Sequence, residues 1–342
     1  MIEIDGSKGG GQMLRTALTL SAITQKDFKM KNIRGNRSGP GLKKQHNSCI
    51  EAVERITNAE VKGNNENSRK ITFKPKELKP GKFTVNIGTA GSTNLVCDTL
   101  LPLATVLEDL GVTVKGGTDV EWSPTSLHFA KVKNQLLNNI GLNTKYECGK
   151  TGFYPKGQGK VRLEFAKTAK PRFNETERGE LKKVRIYSKA SKDLEVPSVA
   201  ERQAQSLEKQ LKKNISPSLE IEKGSWYVDS ASTGSVLAAA FDYENCIAGF
   251  DNVGEQGKRS EKVARELFAE FAKFQETEAV IDPYLGDQLM VFAALLGWSF
   301  TVPEMNNHVR TNKEVVNSFL ENGLVIEKSE DVLKIKGKEV RV

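Results

Sequence analysis

Residues 83–117 read FTVNIGTAGSTNLVCDTLLPLATVLEDLGVTVKGG. A short alternating stretch, FTVNI, predicts a strand. A glycine turn, GTAGSTN, follows it. Asn94 then opens an apolar run, LVCDTLLPLATVLEDLG, that predicts a helix ending on Gly111 as its C′ glycine. VTVKGG predicts the next strand. Strand, glycine turn, amide, apolar helix and strand is a crossover unit, and it places the chain in the α/β (α+β) class. The N-terminus has the same order. Met1–Ile4 alternates, DGSKGGGQ (5–12) is the glycine turn with Gln12 as the amide, and MLRTALTLSAI (13–23) carries apolar residues at helical spacing. A third version, IDPYLGDQLMVFAALLGWSFTV (281–302), has a Gly286-Asp287-Gln288 turn before an apolar helix and a strand. Weak internal repeats of this kind stack around shared cores and bring equivalent turns together.

Between the first two units a helix is expected over residues 41–57, with Leu42, Cys49, Ile50, Val53 and Ile56 inward, then a polar hairpin, KGNNENSRKITF. Residues 184–275 break the scheme. They hold the strand-like VRIYSKA, SLEIEKG and SVLAAAFDYE and the helix-like VAERQAQSLEKQLKK and EKVARELFAEFAKF. We read them as a smaller inserted α/β domain, preceded by the charged linker KTAKPRFNETERGELKK (167–183). Residues 1–183 and 276–342 then form a discontinuous, repeat-built domain.

At 342 residues the chain is long for one domain. Its net charge of +8 favours polyanionic partners, nucleic acid above all, or else a solvated lysine-rich surface. Cys49, Cys97, Cys148 and Cys246 lie far apart with no CxxC spacing, which argues against a zinc site and a disulfide framework. Reduced thiols, no long apolar run and no leader-like start predict a cytoplasmic protein with no membrane association.

The stretch at 5–16 is not a P-loop, because no Gly-Lys-Ser/Thr closes it. A glycine turn at a helix start still presents backbone N–H groups and the positive end of a helix dipole to an anion. Arg15 in that first turn is unfavourable unless a phosphate, or a carboxylate such as Asp5, offsets it. A second basic glycine stretch, IRGNRSGPGLKKQH (33–46), brings Arg34 and Arg37, whose guanidinium forks suit phosphate oxygens. Of the three histidines, His128 reads as a strand residue, His46 as a packed or capping helix residue, and His308 as part of a polar loop after a strand. In TGFYPKGQGKV (151–161), Phe153-Tyr154 beside Lys156 suits either hairpin packing or base stacking. Ser260 in GEQGKRSEKVARE reads as an N-cap. Asp282, Asp287 and Gln288 suit a metal or a ribose, and helix capping explains Asp287 equally well.

These stretches appear in the order seen in RNA 3′-terminal phosphate cyclases: MIEIDGS…GGGQMLRTALTLS, NIRGNRSGPGLKKQH, GTAGSTNLV…TLLP, GGTDVEWSPT, TGFYPKGQGKV, GEQGKRSEKVA, DPYLGDQL and NNHVRTN. The chain resembles that family over nearly its whole length. The resemblance implies three βαβαββ units, like the C-terminal domain of a bacterial translation initiation factor, with a smaller domain inserted in the third. It implies conversion of an RNA 3′-phosphate to a 2′,3′-cyclic phosphodiester with ATP and a divalent metal, magnesium or manganese. The histidine of the HxRTN motif, here His308, is adenylated, and AMP passes to the RNA end before the 2′-OH displaces it. Arg15, Arg34 and Arg37 match the family's phosphate-handling arginines. Gln12, Asp287 and Gln288, with Gly10 and Gly11 of the loop, match its nucleotide pocket.

One departure stands out. The family reads Asp-Gly-Ser-x-Gly-Glu-Gly-Gly-Gly-Gln, whereas this chain reads Asp5-Gly6-Ser7-Lys8-Gly9-Gly10-Gly11-Gln12. The glutamate that the family uses near the metal and nucleotide is missing, and Asp5 is the remaining candidate metal ligand in the stretch. The second reading is a weakened or inactive cyclase-like protein that binds RNA or acts in ribosome assembly. The sequence leaves the RNA substrate and the oligomeric state open.

Overall fold

The computed structural model describes residues 1–166, 171–329 and 331–338. The first four residues of the expected linker, 167–170, lie outside the described residues, as do 330 and 339–342. The chain is a mixed α/β fold of four-stranded sheets. The first sheet uses β1 (Ile2–Asp5), β2 (Phe28–Lys31), β3 (Glu60–Lys62) and β4 (Ile71–Lys74), with α1 (Gly11–Thr24) and α2 (Lys44–Thr57) in the connections. The second uses β5 (Gly81–Asn86), β6 (Asp109–Gly116), β7 (Thr144–Lys150) and β8 (Gly159–Ala166). Between β5 and β6 runs α3 (Thr93–Leu100). Between β6 and β7 run α4 (Ser126–His128), a π-turn over Phe129–Lys133 and α5 (Asn134–Ile140).

After β9 (Asn174–Glu175) comes a third sheet formed only by residues 181–253: β10 (Leu181–Ser191), β11 (Glu220–Val228), β12 (Ser235–Tyr243) and β13 (Ile247–Val253). Its helices, α6 (Val199–Asn214) and α7 (Ser260–Gln275), pack on one another. The chain then continues through α8 (Pro283–Leu296), β14 (Ser299–Val302), α9 (Asn307–Phe319), β15 (Leu324–Ser329) and β16 (Val332–Gly337). These strands complete a sheet with β9.

Three of the sheets share one strand order: β1-β2-β4-β3, β5-β6-β8-β7 and β9-β14-β16-β15. In each, the first pair is parallel and the other two pairs are antiparallel. The parallel pair needs a crossover, and each crossover delivers a helix (α1, α3 or α8) to one shared apolar layer. That is why α1 is buried nearly all round, from Met13 and Leu14 to Ala22 and Ile23: it packs on α2, α3 and α9. Helix α8, with Leu289 to Leu296 buried, packs on α9. Among the described residues no helix is long and apolar enough to cross a membrane.

Several expectations are corrected. The helix after Asn94 stops at Leu100, because Pro102 follows in a 3₁₀ turn and cannot extend the hydrogen-bond ladder. Gly111 therefore caps nothing; it lies inside β6, paired with Lys82 and Glu164. The Gly286-Asp287-Gln288 stretch is not a turn. It lies inside α8, which begins at Pro283 under the cap of Asp282, so Gln288 sits a turn further into its helix than Gln12 or Asn94. His128 is helical rather than in a strand. The strand β13 was not foreseen, whereas TGFYPKGQGKV does make a turn and hairpin: Phe153-Tyr154 lies in the loop that joins the antiparallel strands β7 and β8.

Candidate active site

The opening glycine stretch makes a tight turn followed by a bare helix start. Asp5 caps a 3₁₀ turn at Gly6–Lys8. Its carboxylate accepts from the Ser7 backbone N–H (3.0 Å), the Ser7 hydroxyl (2.9 Å) and the Asn32 side-chain amide (3.0 Å). These bonds, the one from Asn32 first, hold it below the usual carboxylate range. Asp5 therefore does not pair with Arg15, as one reading of the sequence had it. No side chain caps α1, whose N-cap is Gly10.

The carbonyl of Lys8 ties three segments together. It accepts from Asn36 Nδ2 (3.2 Å), in the arginine loop, and from Asn307 Nδ2 (3.0 Å), at the start of α9. Close approach explains the glycines. A Cβ on Gly11 would lie 2.3 Å from His46 Nε2 and 3.2 Å from an Arg15 guanidinium nitrogen, and one on Gly10 would lie 3.3 Å from Arg37. Arg15 and Arg37 thus converge on the glycine turn, and neither guanidinium has a side-chain partner among the described residues. Arg34 has a different task. It donates to the carbonyls of Gly39 (2.7 Å) and Gly41 (2.8 Å), so it shapes the loop that presents Arg37. Burial, then the charge of Arg37, pushes its pKa down.

His308 is not in a loop. Asn306 caps α9 by accepting from the Val309 N–H (2.8 Å), which puts His308 in the first helical turn. Its Nδ1 lies 2.8 Å from Asp287 Oδ2 on α8. Since a carboxylate only accepts, Nδ1 carries a proton, and in the neutral imidazole the free lone pair is the one on Nε2. The His308 side chain is 45% exposed and that of Asp287 only 13%. The rest of the motif locks α9 to its neighbours. Thr311 accepts from Gln12 Nε2 (2.9 Å), Asn312 Oδ1 accepts from the Thr16 hydroxyl (2.9 Å), and Asn312 Nδ2 donates to the Asp287 carbonyl (3.2 Å).

Beside this contact lies a small open cleft between α1, α3, α8 and Asn312 of α9. Gln12, Arg15, Asp287 and Gln288 line it, together with two residues the sequence did not single out, Asp98 and Lys133. Lys133 is buried; its ammonium pairs with Asp98 and donates to Gln288 Oε1 (2.9 Å). Gln288 Nε2 in turn donates to the Tyr284 carbonyl (2.9 Å). Lys133 reaches the cleft from the end of the π-turn, a backbone irregularity found often at functional sites. Asp282 does not join them. It is buried and caps α8 at Tyr284 and Leu285, so the capping role offered for Asp287 belongs to Asp282.

His46 backs the glycine turn. Its Nδ1 accepts from the Lys43 backbone N–H (3.0 Å). Burial, reinforced by Arg15, Arg34 and Lys43, pushes its pKa down to about 3. The unfolded chain titrates this group near 6.5. Between those values the unfolded state binds the extra proton, so stability falls as pH drops through the window. From about pH 7 to pH 5 the loss on this account is roughly 2 kcal/mol. Urea unfolding at both pH values should show it, and His46→Gln should lack that share of the slope. Equal slopes in parent and variant would contradict the assignment.

Among the described residues no three His, Cys, Asp or Glu side chains gather to hold a metal. The carboxylates near the cleft are engaged: Asp5 by Ser7 and Asn32, Asp98 by Lys133, Asp287 by His308.

The comparisons with known proteins agree with one another. The family model described as RNA 3′-terminal phosphate cyclase matches residues 7–326. A protein of Sulfolobus acidocaldarius named RNA 3′-terminal phosphate cyclase is 40% identical over 327 residues, covering 94% of this chain and 95% of its own length. Proteins of the same name from Saccharolobus solfataricus and Sulfurisphaera tokodaii are 39% and 38% identical over 325 residues, covering 94% of this chain and 95% and 94% of their own.

Proposed function

Since this chain belongs to the RNA 3′-terminal phosphate cyclase family, we propose that it is an enzyme that closes an RNA 3′-phosphate to a 2′,3′-cyclic phosphodiester with ATP. The observation that carries the mechanism is the 2.8 Å contact between His308 Nδ1 and Asp287. In the neutral imidazole it makes Nε2 the nucleophilic nitrogen, beside a cleft that also holds Arg15.

Nε2 attacks the α-phosphorus of ATP. An N–P bond forms, the bond to the β-phosphate oxygen breaks, and pyrophosphate leaves with the electron pair. Asp287 stabilises the positive charge that develops on the ring. An oxygen of the RNA 3′-phosphate then attacks the same phosphorus. The N–P bond breaks, His308 regains its lone pair, and the RNA end carries an anhydride to AMP. Finally the 2′-oxygen attacks the RNA phosphorus, its proton is released, and AMP departs with the electron pair. Each step places charge on phosphoryl oxygens, where Arg15 and Arg37, unpaired beside the first-turn N–H groups of α1, are set to neutralise it. Gln12 and Gln288 are assigned to the nucleotide, and Arg34 is assigned to holding the loop. No three candidate metal ligands gather among the described residues, so a divalent ion would be held largely by the ATP phosphates, and the protein's share of the charge neutralisation is assigned to these side chains. We also propose that residues 184–275 are an insertion, since β10–β13 make their own sheet and both β9 and α8 belong to the unit that flanks it.

The test is an RNA with a 3′-phosphate, incubated with ATP. The proposal expects an end that resists phosphatase and is opened by a cyclic phosphodiesterase. Retention of a phosphatase-sensitive end, with RNA still bound, would favour the non-catalytic binding protein instead.

A further inference from the structure

The second sheet, β5-β6-β8-β7, ends in a row of like charges. Lys115 on β6 stands directly opposite Lys160 on β8, and Lys160 is in register with Lys150 on β7. All three are exposed, and none has an ion pair among the described residues. Like charges facing one another across strands destabilise a sheet, so a row of three calls for an anion. Further along the same strands charges alternate, with Arg162 paired to Glu164 and Lys145 to Glu147, so the row is confined to one end.

Two loops leave the sheet at that end. One follows Gly116 and carries Trp122; the other follows Lys150 and carries Tyr154 and Lys156. Their bases touch, since the backbone N–H groups of Thr118 (2.8 Å) and Asp119 (3.3 Å) both donate to the Gly152 carbonyl. Phe153 is buried in a small apolar cluster with Leu127 and Val236, whereas Tyr154 is 74% exposed and Trp122 is 93% exposed. Trp122 also holds φ at +61°, a left-handed conformation rare for a bulky residue. Burial does not explain an indole held out in water on a strained backbone.

This end is continuous with the glycine turn of α1. Gly117 donates to the Gly91 carbonyl (2.8 Å), the Ser92 N–H donates to Gln45 Oε1 (3.1 Å), and the next residue, His46, lies against Gly11.

We propose that Lys115, Lys150, Lys160 and Lys156, with Trp122 and Tyr154, form a subsite for single-stranded RNA, and that it holds the body of the strand 5′ to the reacting end. Lysines take the phosphates; the two aromatic faces stack bases without regard to sequence. The assignment of RNA as occupant rests on the function proposed above.

The test is binding of a labelled single-stranded RNA of about 12 nucleotides with a 3′-phosphate, measured against salt. The triple variant Lys115→Gln, Lys150→Gln, Lys160→Gln should bind about tenfold more weakly at about 50 mM salt, and its log–log salt slope should be shallower by about 2. Lys→Arg at the same positions should keep the parent's slope, and thermal unfolding checks that each variant is folded. Trp122→Ala and Tyr154→Ala should each weaken binding about fivefold or more with the slope unchanged. Parental affinity and slope in the triple Gln variant would overturn the subsite, as would a folded parent that takes up AMP but binds no RNA. RNA binding that depends on the row, in a protein that never takes up AMP, would instead sink the enzymatic reading and leave the subsite standing.

Discussion

Replacing His308 by alanine is expected to stop cyclisation, with a rate loss on the order of 10⁴-fold or more. Removal of a nucleophile cannot be offset by the charges around it, because Arg15 and Arg37 stabilise a transition state that then has no attacking atom. The side chain is 45% exposed, and its capping neighbour Asn306 is untouched, so the variant should fold. Single-turnover cyclisation of a 3′-phosphate RNA measures the loss. A further arm supplies RNA already joined to AMP through its 3′-phosphate. Because His308 acts before that species forms, His308→Ala should cyclise it at close to the parental rate. If the variant cyclised ordinary RNA with ATP, the nucleophile would have to be sought elsewhere.

Asp287→Asn is expected to cost about 10²- to 10⁴-fold while leaving substrate binding nearly intact. The carboxylate accepts from Nδ1–H at 2.8 Å and so, in the neutral ring, selects the tautomer with its lone pair on Nε2. An asparagine amide can donate to Nδ1, which selects the other tautomer and puts the proton on the attacking nitrogen. It also removes the negative charge that stabilises the ring once phosphorus is attached. The fold should tolerate the change, because Asn312 bonds the Asp287 backbone carbonyl rather than its side chain. The expected signature is a fall in the rate of AMP uptake with little change in the ATP concentration needed for half-saturation. A rise in that concentration at unchanged maximal rate would place Asp287 in ground-state nucleotide binding.

The fold was readable where local signals were strong. Apolar spacing over 13–23 and the glycine turn before it locate α1, and the recurring order of strand, turn and helix points to an α/β architecture with internal repeats. Three of the misreadings share a cause, in that each depended on where a helix starts or stops. Pro102 shortens α3 and so strips Gly111 of its capping role, while Asp282 starts α8 early and draws Gly286-Asp287-Gln288 inside it. Likewise Asn306 turns the expected loop around His308 into a first helical turn.

The site was partly legible. Gln12, Arg15, Arg37, Asp287, Gln288 and His308 carry signals of residue type and position, and the fold gathers them about one cleft and the glycine turn beside it. Arg34 has the same residue type but is spent on loop carbonyls. Asp98 and Lys133 left no trace, since an acid in an apolar helix and a lysine in a KVK run read as surface charges. Their pairing arises only when α3 meets the π-turn. The lysine row is hidden for the same reason, since Lys115, Lys150 and Lys160 become neighbours only through strand register.

The most direct measurement of the central claim is the intact mass of the purified protein after incubation with ATP, with magnesium or manganese, in the absence of RNA. The account predicts a gain of one adenylate, released by acid as expected of a phosphoramidate, mapping to His308 and absent from His308→Ala. Folded protein that gains no mass with either metal, or gains it equally in the alanine variant, would contradict it.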